Sequence, residues 1–147
     1  MSLWILDTDT LTLFQNQHSL IKQRINEVNS ENIAVTIITV EEQMRGWLDA
    51  IRQSSEAQRL RWGYLGLQQA VEFFNIIRIL DFNETAINCY AELKKQKIRI
   101  GTQDLRIASI AISNNGILVT RNQRDFPGFL GYSLKIGRWR INAIARH

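Results

Sequence analysis

At 147 residues, with 45% hydrophobic and 22% charged side chains, the chain has the size and balance of one soluble globular domain, large enough to bury roughly 70% of the surface its unfolded form exposes. No apolar run approaches the roughly 20 residues that a membrane helix needs. The opening MSLWILDTDT lacks the basic segment of a signal peptide, and Cys89 is the only cysteine, which excludes an internal disulfide and fits a reducing cytoplasm. The net charge of +4 hides an asymmetry: residues 1–93 hold 7 Lys and Arg against 12 Asp and Glu, and residues 94–147 hold 11 against 2. A basic C-terminal third suits either a polyanionic partner or a solvated surface that offsets the acidic part.

Ser2 to Leu6 is a short apolar run that reads as a buried strand presenting Asp7 to Thr10 at its end. Thr10 to Val28 has helical spacing interrupted by polar residues, so two short helices are expected. Ile33 to Ile38 is a second buried strand. Thr39 with Glu42 then spells a capping box for a helix running to about Gln53. Ser54 to Asn75 is helical, with Leu60, Tyr64, Leu67, Val71 and Phe74 as its inward face, and Ile76 to Leu80 is a third strand. Asn83 caps a helix to about Lys97 that turns Ala86, Ile87, Tyr90, Ala91 and Leu93 inward.

Thr102 is the expected N-cap of the next helix, whose Leu105, Ile107, Ala108, Ile110, Ala111 and Ile112 form a broad apolar surface suited to packing on a sheet. Asn114, Asn115 and Gly116 stop it, because Asn and Gly tolerate the left-handed backbone at a helix end. Ile117 to Thr120 is a fourth strand, and Leu134 to Ile136 an edge strand. Strands alternating with helices predict an α/β sandwich with a mainly parallel sheet of four or five strands. In such sheets the working site lies outside the carboxyl ends of the strands.

Acidic residues gather at those expected ends: Asp7 after strand one, Glu41 and Glu42 after strand two, Asp104 in the first turn of the helix that leads to strand four, and Asp125 beyond it. Each has an everyday role beside a chemical one. Asp7 ends a strand, Glu42 completes a capping box, Asp104 favours a helix N-terminus through the dipole, and Asp125 is a loop acid. Together they repel, by about 4 kcal/mol per close pair at a surface-like dielectric, and a divalent cation relieves that repulsion. Mg²⁺ and Mn²⁺ prefer oxygen ligands and can activate a bound water toward a phosphodiester. Only His18 and His147 are present, and no phosphate-binding glycine loop occurs, so histidine, zinc and P-loop chemistry have no support.

L-D-T-D-T after the first strand, T-V-E-E-Q-M-R-G after the second, and D-L-R-I-A-S-I-A followed by I-L-V-T-R-N-Q-R-D-F resemble the PIN-domain nucleases, especially the VapC-type toxins of bacterial toxin–antitoxin modules. The resemblance covers nearly the whole chain and implies a single PIN-like domain over residues 1–147, a three-layer α/β/α sandwich. It implies Mg²⁺- or Mn²⁺-dependent cleavage of RNA in the cytoplasm, a homodimer, and a cognate antitoxin that blocks the site. The family's acids fall on Asp7, Glu42 and Asp104, and its strand-end threonine on Thr120. Asp7 and Asp104 then hold the cation, while Glu42 completes the shell and orients water. Where many relatives carry a fourth acid this chain has Asn122, with Asp125 three residues on to supply the carboxylate. Arg121, Arg124, Lys94, Lys95, Lys97 and Arg99 are the candidate contacts to RNA phosphates. In the family's manner the two middle helices, with Trp47, Trp62, Tyr64 and Phe73, form the dimer face and antitoxin groove.

Two other readings fit part of the chain. Asp7-Thr8-Asp9 is similar to the start of haloacid-dehalogenase-type phosphatases, although Leu11 departs from that pattern and its later lysine and acidic pair are missing. A PIN-fold RNA-binding or scaffold protein, its site weakened at Asn122, would bind RNA with a strong salt dependence and not cut it.

Overall fold

The structure is a computed structural model that describes residues 2–16, 23, 26, 27, 30–120 and 134–137. Five short strands, β1 (Trp4–Leu6), β2 (Ile33–Thr36), β3 (Arg78–Leu80), β4 (Ile117–Val119) and β5 (Lys135–Gly137), form one sheet in the order β3-β2-β1-β4-β5. All four neighbouring pairs are parallel, with Trp4 opposite both Ile33 and Ile117. The chain steps outward from β1 to β3, then crosses back past β1 to β4. The strand order therefore reverses between β1 and β4. Right-handed crossovers in opposite directions put helices on opposite faces of a sheet.

Five α-helices are described: α1 (Thr8–Gln15), α2 (Ile37–Gln53), α3 (Ala57–Phe74), α4 (Glu84–Lys95) and α5 (Thr102–Ser113). The strands are buried on both sides, so side chains alternate between two cores. Ile5, Ala34 and Leu118 join Leu105, Ile107 and Ile110 of α5 and Leu93 of α4 on one face. Leu6, Val35 and Val119 join Leu11 of α1 and Ala70 and Phe74 of α3 on the other. The result is the three-layer sandwich the strand–helix alternation predicts. Ile5, Leu6, Leu118 and Val119 are wholly buried, each contributing about 1.5–3 kcal/mol of transfer free energy. Among the described residues no helix is long and apolar enough to cross a membrane.

Helix ends differ in instructive ways from their expected places. The helix after β1 starts at Thr8, earlier than Thr10, because Asp7 is its N-cap: Asp7 Oδ1 accepts the Thr10 N–H at 2.9 Å. The strand read over Ile33 to Ile38 stops at Thr36, which caps α2 by accepting the Thr39 N–H at 3.2 Å. Thr39 therefore sits inside the helix, and Glu42 is released from the capping box for other work. Thr102 is the first residue of α5 rather than its cap; Gly101 takes the cap position without a side-chain bond. Asn83 does cap α4, accepting the Ala86 N–H at 3.0 Å. Asn115 closes α5 with a φ of 53°, and its N–H reaches the Ile112 carbonyl at 3.0 Å.

The inward face of α3 is also corrected. Gly63, Gly66, Ala70 and Phe74 are buried, whereas Leu60, Tyr64 and Val71 are exposed. The cause is close contact with α2: a Cβ on Gly66 would lie 2.2 Å from the Trp47 ring, and one on Gly63 would lie 2.9 Å from Ile51 Cγ1. Small residues let the helices approach, which turns the large apolar ones outward. On α4, Ala86 and Leu93 are buried, but Ile87 and Ala91 face outward. Ile76 precedes β3 and is 82% exposed. Cys89 is half-buried and bonded to Ser109; burial pushes its thiol pKa up, the opposite of a reactive thiolate.

Candidate active site

The carboxyl ends of β1 and β4 meet where the strand order reverses. Asp7 follows β1 there, and its N–H bonds to the Val119 carbonyl at 3.1 Å, which fixes the start of α1 against the end of β4. The Thr10 hydroxyl donates to the same carbonyl at 3.1 Å, 109 residues away in sequence. Thr120, the residue after β4, is 2% exposed and hydrogen-bonds the Asp7 carboxylate.

Asp7 is 6% exposed. Desolvation by that burial pushes its pKa above the ordinary carboxylate range, and the nearby charge of Asp9 adds to the rise. The bonds from Thr120 and Thr10 pull the other way and win back only part. Because the Thr10 hydroxyl is committed to Val119, its N–H is the Thr10 group that serves the carboxylate. This is a charged form held at a cost, as expected of an acid placed for chemistry rather than for stability.

Glu42 reaches the same end of the sheet from α2. Its Oε1 accepts a 2.6 Å hydrogen bond from the Thr8 hydroxyl, and Thr8 Oγ1 lies 3.1 Å from Thr39 Oγ1. Asp104 stands half-buried in the first turn of α5. The helix that carries it is tied to α2 by Gln103, whose side-chain amide donates to Glu41 Oε1 at 2.9 Å. Glu41 is also paired with Arg45 at 2.8 Å, so it is a strut between helices rather than the idle neighbour its sequence position suggests. Gln103 is held in turn by Arg106, whose guanidinium donates to it at 2.8 Å and lies over the Tyr90 ring.

Three sequence-predicted acids thus arrive at one end of the sheet: Asp7 and Glu42 joined through Thr8, and Asp104 on a helix bridged to that of Glu42. Among the described residues, no three His, Cys, Asp or Glu side chains converge closely enough to hold an ion. The oxygen-only donor chemistry and the desolvated charge of Asp7 nonetheless suit a hard divalent cation. Arg121, Asn122, Arg124 and Asp125 lie outside the described residues. Lys94, Lys95, Lys97 and Arg99 are exposed around the end of α4 and the turn after it; Lys94 lies over the Tyr90 ring and Lys95 pairs with Glu92 at 3.3 Å. Sequence reasoning alone does not find Thr8 and Gln103. Each is the immediate neighbour of an acid in a first helical turn, which is the only local signal they carry.

No protein-family model matches the sequence. Ribonuclease VapC1 of Haemophilus influenzae strain R2866 is 28% identical over 131 residues, 84% of this chain and 90% of that protein. The VapBC-1 structure from nontypeable Haemophilus influenzae superposes with a TM-score of 0.72 at 25% identity, covering 94% of this chain and 98% of that one. DNA-bound VapBC from Salmonella typhimurium gives 0.70 at 26% identity, covering 95% and 99%. The chain is similar in sequence and fold to VapC-type ribonucleases over most of its length. The candidate acids Asp7, Glu42 and Asp104 sit at the cap of α1, in α2 and in the first turn of α5, helices whose N-termini lie at the carboxyl end of the sheet.

A groove of about 780 Å³ opens on the α1–α2–α3 side of the chain. Trp47, Trp62, Phe14 and Phe73 supply its apolar walls, and Gln15, Gln43 and Thr12 its polar rim. Gln15 and Gln43 exchange two side-chain hydrogen bonds of 2.8 and 3.0 Å across it.

Proposed function

We propose that the chain is an endoribonuclease, dependent on Mg²⁺ or Mn²⁺, and that it acts in the cytoplasm as the toxin of a toxin–antitoxin pair. The observation that carries this reading is the buried, desolvated Asp7 at the reversal point, linked through Thr8 to Glu42. The similarity to Ribonuclease VapC1 and to VapBC complexes supports the substrate class and the partner. Asp7 and Asp104 would hold the cation, with Glu42 completing the site. When bound, the cation supplies charge for the scissile phosphodiester and eases deprotonation of water. Glu42, held through one oxygen by Thr8, orients the attacking water with the other. Asn122 and Asp125 are candidates for the remaining polar contact.

The exposed Lys94, Lys95, Lys97 and Arg99, with Arg121 and Arg124, would contact RNA phosphates outside the acidic centre. The apolar groove beside Trp47 and Trp62 is the seat we assign to a segment of the antitoxin. The outward row of Leu60, Tyr64 and Val71 on α3 suits a second copy of the chain, since large exposed apolar residues in a row mark an interface. The whole chain is read as one domain.

The deciding experiment incubates purified protein with total RNA, with Mg²⁺, Mn²⁺ or EDTA, alongside Asp104→Asn and Glu42→Gln. Metal-dependent cleavage by the unaltered chain, lost in both variants, is expected. RNA binding without cleavage under every condition would replace the nuclease with an RNA-binding reading. Turnover of small phosphoesters instead of RNA would favour a phosphatase.

A further inference from the structure

The mechanism above gives Glu42 a task that depends on its orientation, yet a glutamate has three rotatable side-chain bonds and α2 alone does not restrain them. The restraint comes from a residue on a different helix. Thr8 Oγ1 donates to Glu42 Oε1 at 2.6 Å, across 34 residues of sequence, and lies 3.1 Å from Thr39 Oγ1. A hydroxyl carries one proton. If Thr8 gives its proton to Glu42, the bond to Thr39 runs the other way, with Thr39 as donor. Either hydroxyl satisfies the geometry of the Thr8–Thr39 contact taken alone; the bond to Glu42 decides its direction.

We propose that Thr39, Thr8 and Glu42 form a directed hydrogen-bond chain in which Thr8 is a positioning residue for the site. Thr39 is wholly buried, and its place in α2 is set by the bond from its N–H to Thr36 Oγ1 at 3.2 Å. Its hydroxyl is therefore a fixed donor. Accepting from it polarises the Thr8 hydroxyl, and a polarised hydroxyl is the stronger donor to a carboxylate. Thr8 is only half-buried, and it follows Asp7 directly in the first turn of α1. The same short segment thus contributes one acid and orients another. The chain commits Glu42 Oε1, so that Oε2 is the oxygen presented to water or cation. The inference rests on the nuclease reading for its consequence, but its geometry is independent of that reading.

The test is a double-mutant cycle between Thr8→Val and Glu42→Ala, with Thr8→Ser and Thr39→Val beside it. It uses the full chain and two readouts: RNA cleavage with Mn²⁺, and unfolding of the metal-free proteins in urea. Valine matches threonine in shape and lacks the hydroxyl. Losing a hydrogen bond to a charged group predicts a fall in cleavage rate of about tenfold or more for Thr8→Val. Thr8→Ser should recover most of that loss, and Thr39→Val should fall between the two. Once Glu42 is alanine, Thr8→Val still loses the bond from Thr39 but not one to Glu42, so its effect on unfolding should be smaller than in the unaltered chain and the two changes non-additive. Additive effects on unfolding, or a Thr8→Ser variant no better than Thr8→Val, would overturn the relay. If the unaltered chain cuts no RNA, the nuclease reading fails, and the unfolding cycle alone decides whether the chain of hydroxyls exists.

Discussion

Replacing Asp7 by Asn separates what this residue does for the fold from what it does for the site. Asp7 caps α1, and Asn caps as well as Asp, so the 2.9 Å bond to the Thr10 N–H survives the change. What disappears is a desolvated negative charge on a group that is 6% exposed. Folding raises the Asp7 pKa, chiefly through desolvation, so above that raised value the ionised carboxylate weakens the folded state. As pH falls through the raised pKa toward the ordinary 3.8, the folded carboxyl takes up its proton first and the penalty is relieved. Below 3.8 both states are protonated and no penalty remains.

Metal-free Asp7→Asn should therefore be more stable than the unaltered chain at neutral pH and melt at a higher Tm. The advantage should shrink on acidification and vanish below the carboxylate range. Added Mn²⁺ should reverse the ranking. If the proposed site binds it, Mn²⁺ at a hundred times its Kd should stabilise the unaltered chain by about 2.7 kcal/mol, and Asp7→Asn by far less. Thermal unfolding from pH 3 to 8, with EDTA and with Mn²⁺, reads both effects. A metal-free Asp7→Asn protein that is less stable at neutral pH, or one that Mn²⁺ stabilises as much as the unaltered chain, would refute the reasoning.

Other expectations follow from the same geometry. Gly66→Ala puts a methyl group into the Trp47 ring and should cost about 1–3 kcal/mol in urea unfolding, as overpacking does. Replacing Lys94, Lys95, Lys97 and Arg99 by Gln should weaken RNA binding and reduce the slope of log K against log salt by about 0.7 for every phosphate left without its cationic partner; an unchanged slope removes them from the RNA surface. Val71→Glu together with Tyr64→Glu should shift the mass seen by light scattering from dimer to monomer without changing the far-ultraviolet circular dichroism. Gln103→Ala cuts the bridge from α5 to Glu41 and should lower cleavage several-fold, with a stability loss of only about 0.5–1.5 kcal/mol because the bond is exposed.

The parallel sheet was legible because buried strands announce themselves as apolar runs ended by polar residues, and Asp7 and Thr120 are such endings. The candidate acids were legible for a related reason: Asp7 follows such an ending, and Glu42 and Asp104 lie near helix starts at the same end of the sheet. Helix faces were harder to read. Leu60, Tyr64 and Val71 have the spacing of a core stripe, yet the core side of α3 is already filled by Trp47 from α2, and only Gly63, Gly66 and Ala70 fit against it. No property local to α3 contains that information. The start of α2 was ambiguous for a different reason. Thr36 and Thr39 are both competent caps, and pairing of Thr36 with Leu80 in the sheet selects the first. Once Thr36 caps, Thr39 is free to face Thr8, and the capping-box reading of Glu42 gives way to its bond with Thr8.

The electrostatics of the site follow from the direction of the helices. α1 and α2 begin at the carboxyl ends of β1 and β2, and α5 returns toward the amino end of β4, so all three N-termini lie at the carboxyl end of the sheet. Each brings partial positive charge from unpaired N–H groups. That field favours the charges of Asp7 at the cap of α1 and of Asp104 in the first turn of α5, while Glu42 lies one turn further along α2. The balance is incomplete at Asp7, where desolvation outweighs the hydrogen bonds from Thr10 and Thr120 and leaves the pKa raised. On the proposed nuclease reading, a bound divalent ion would offset that residual cost, so metal affinity and the instability of the metal-free form would rise together.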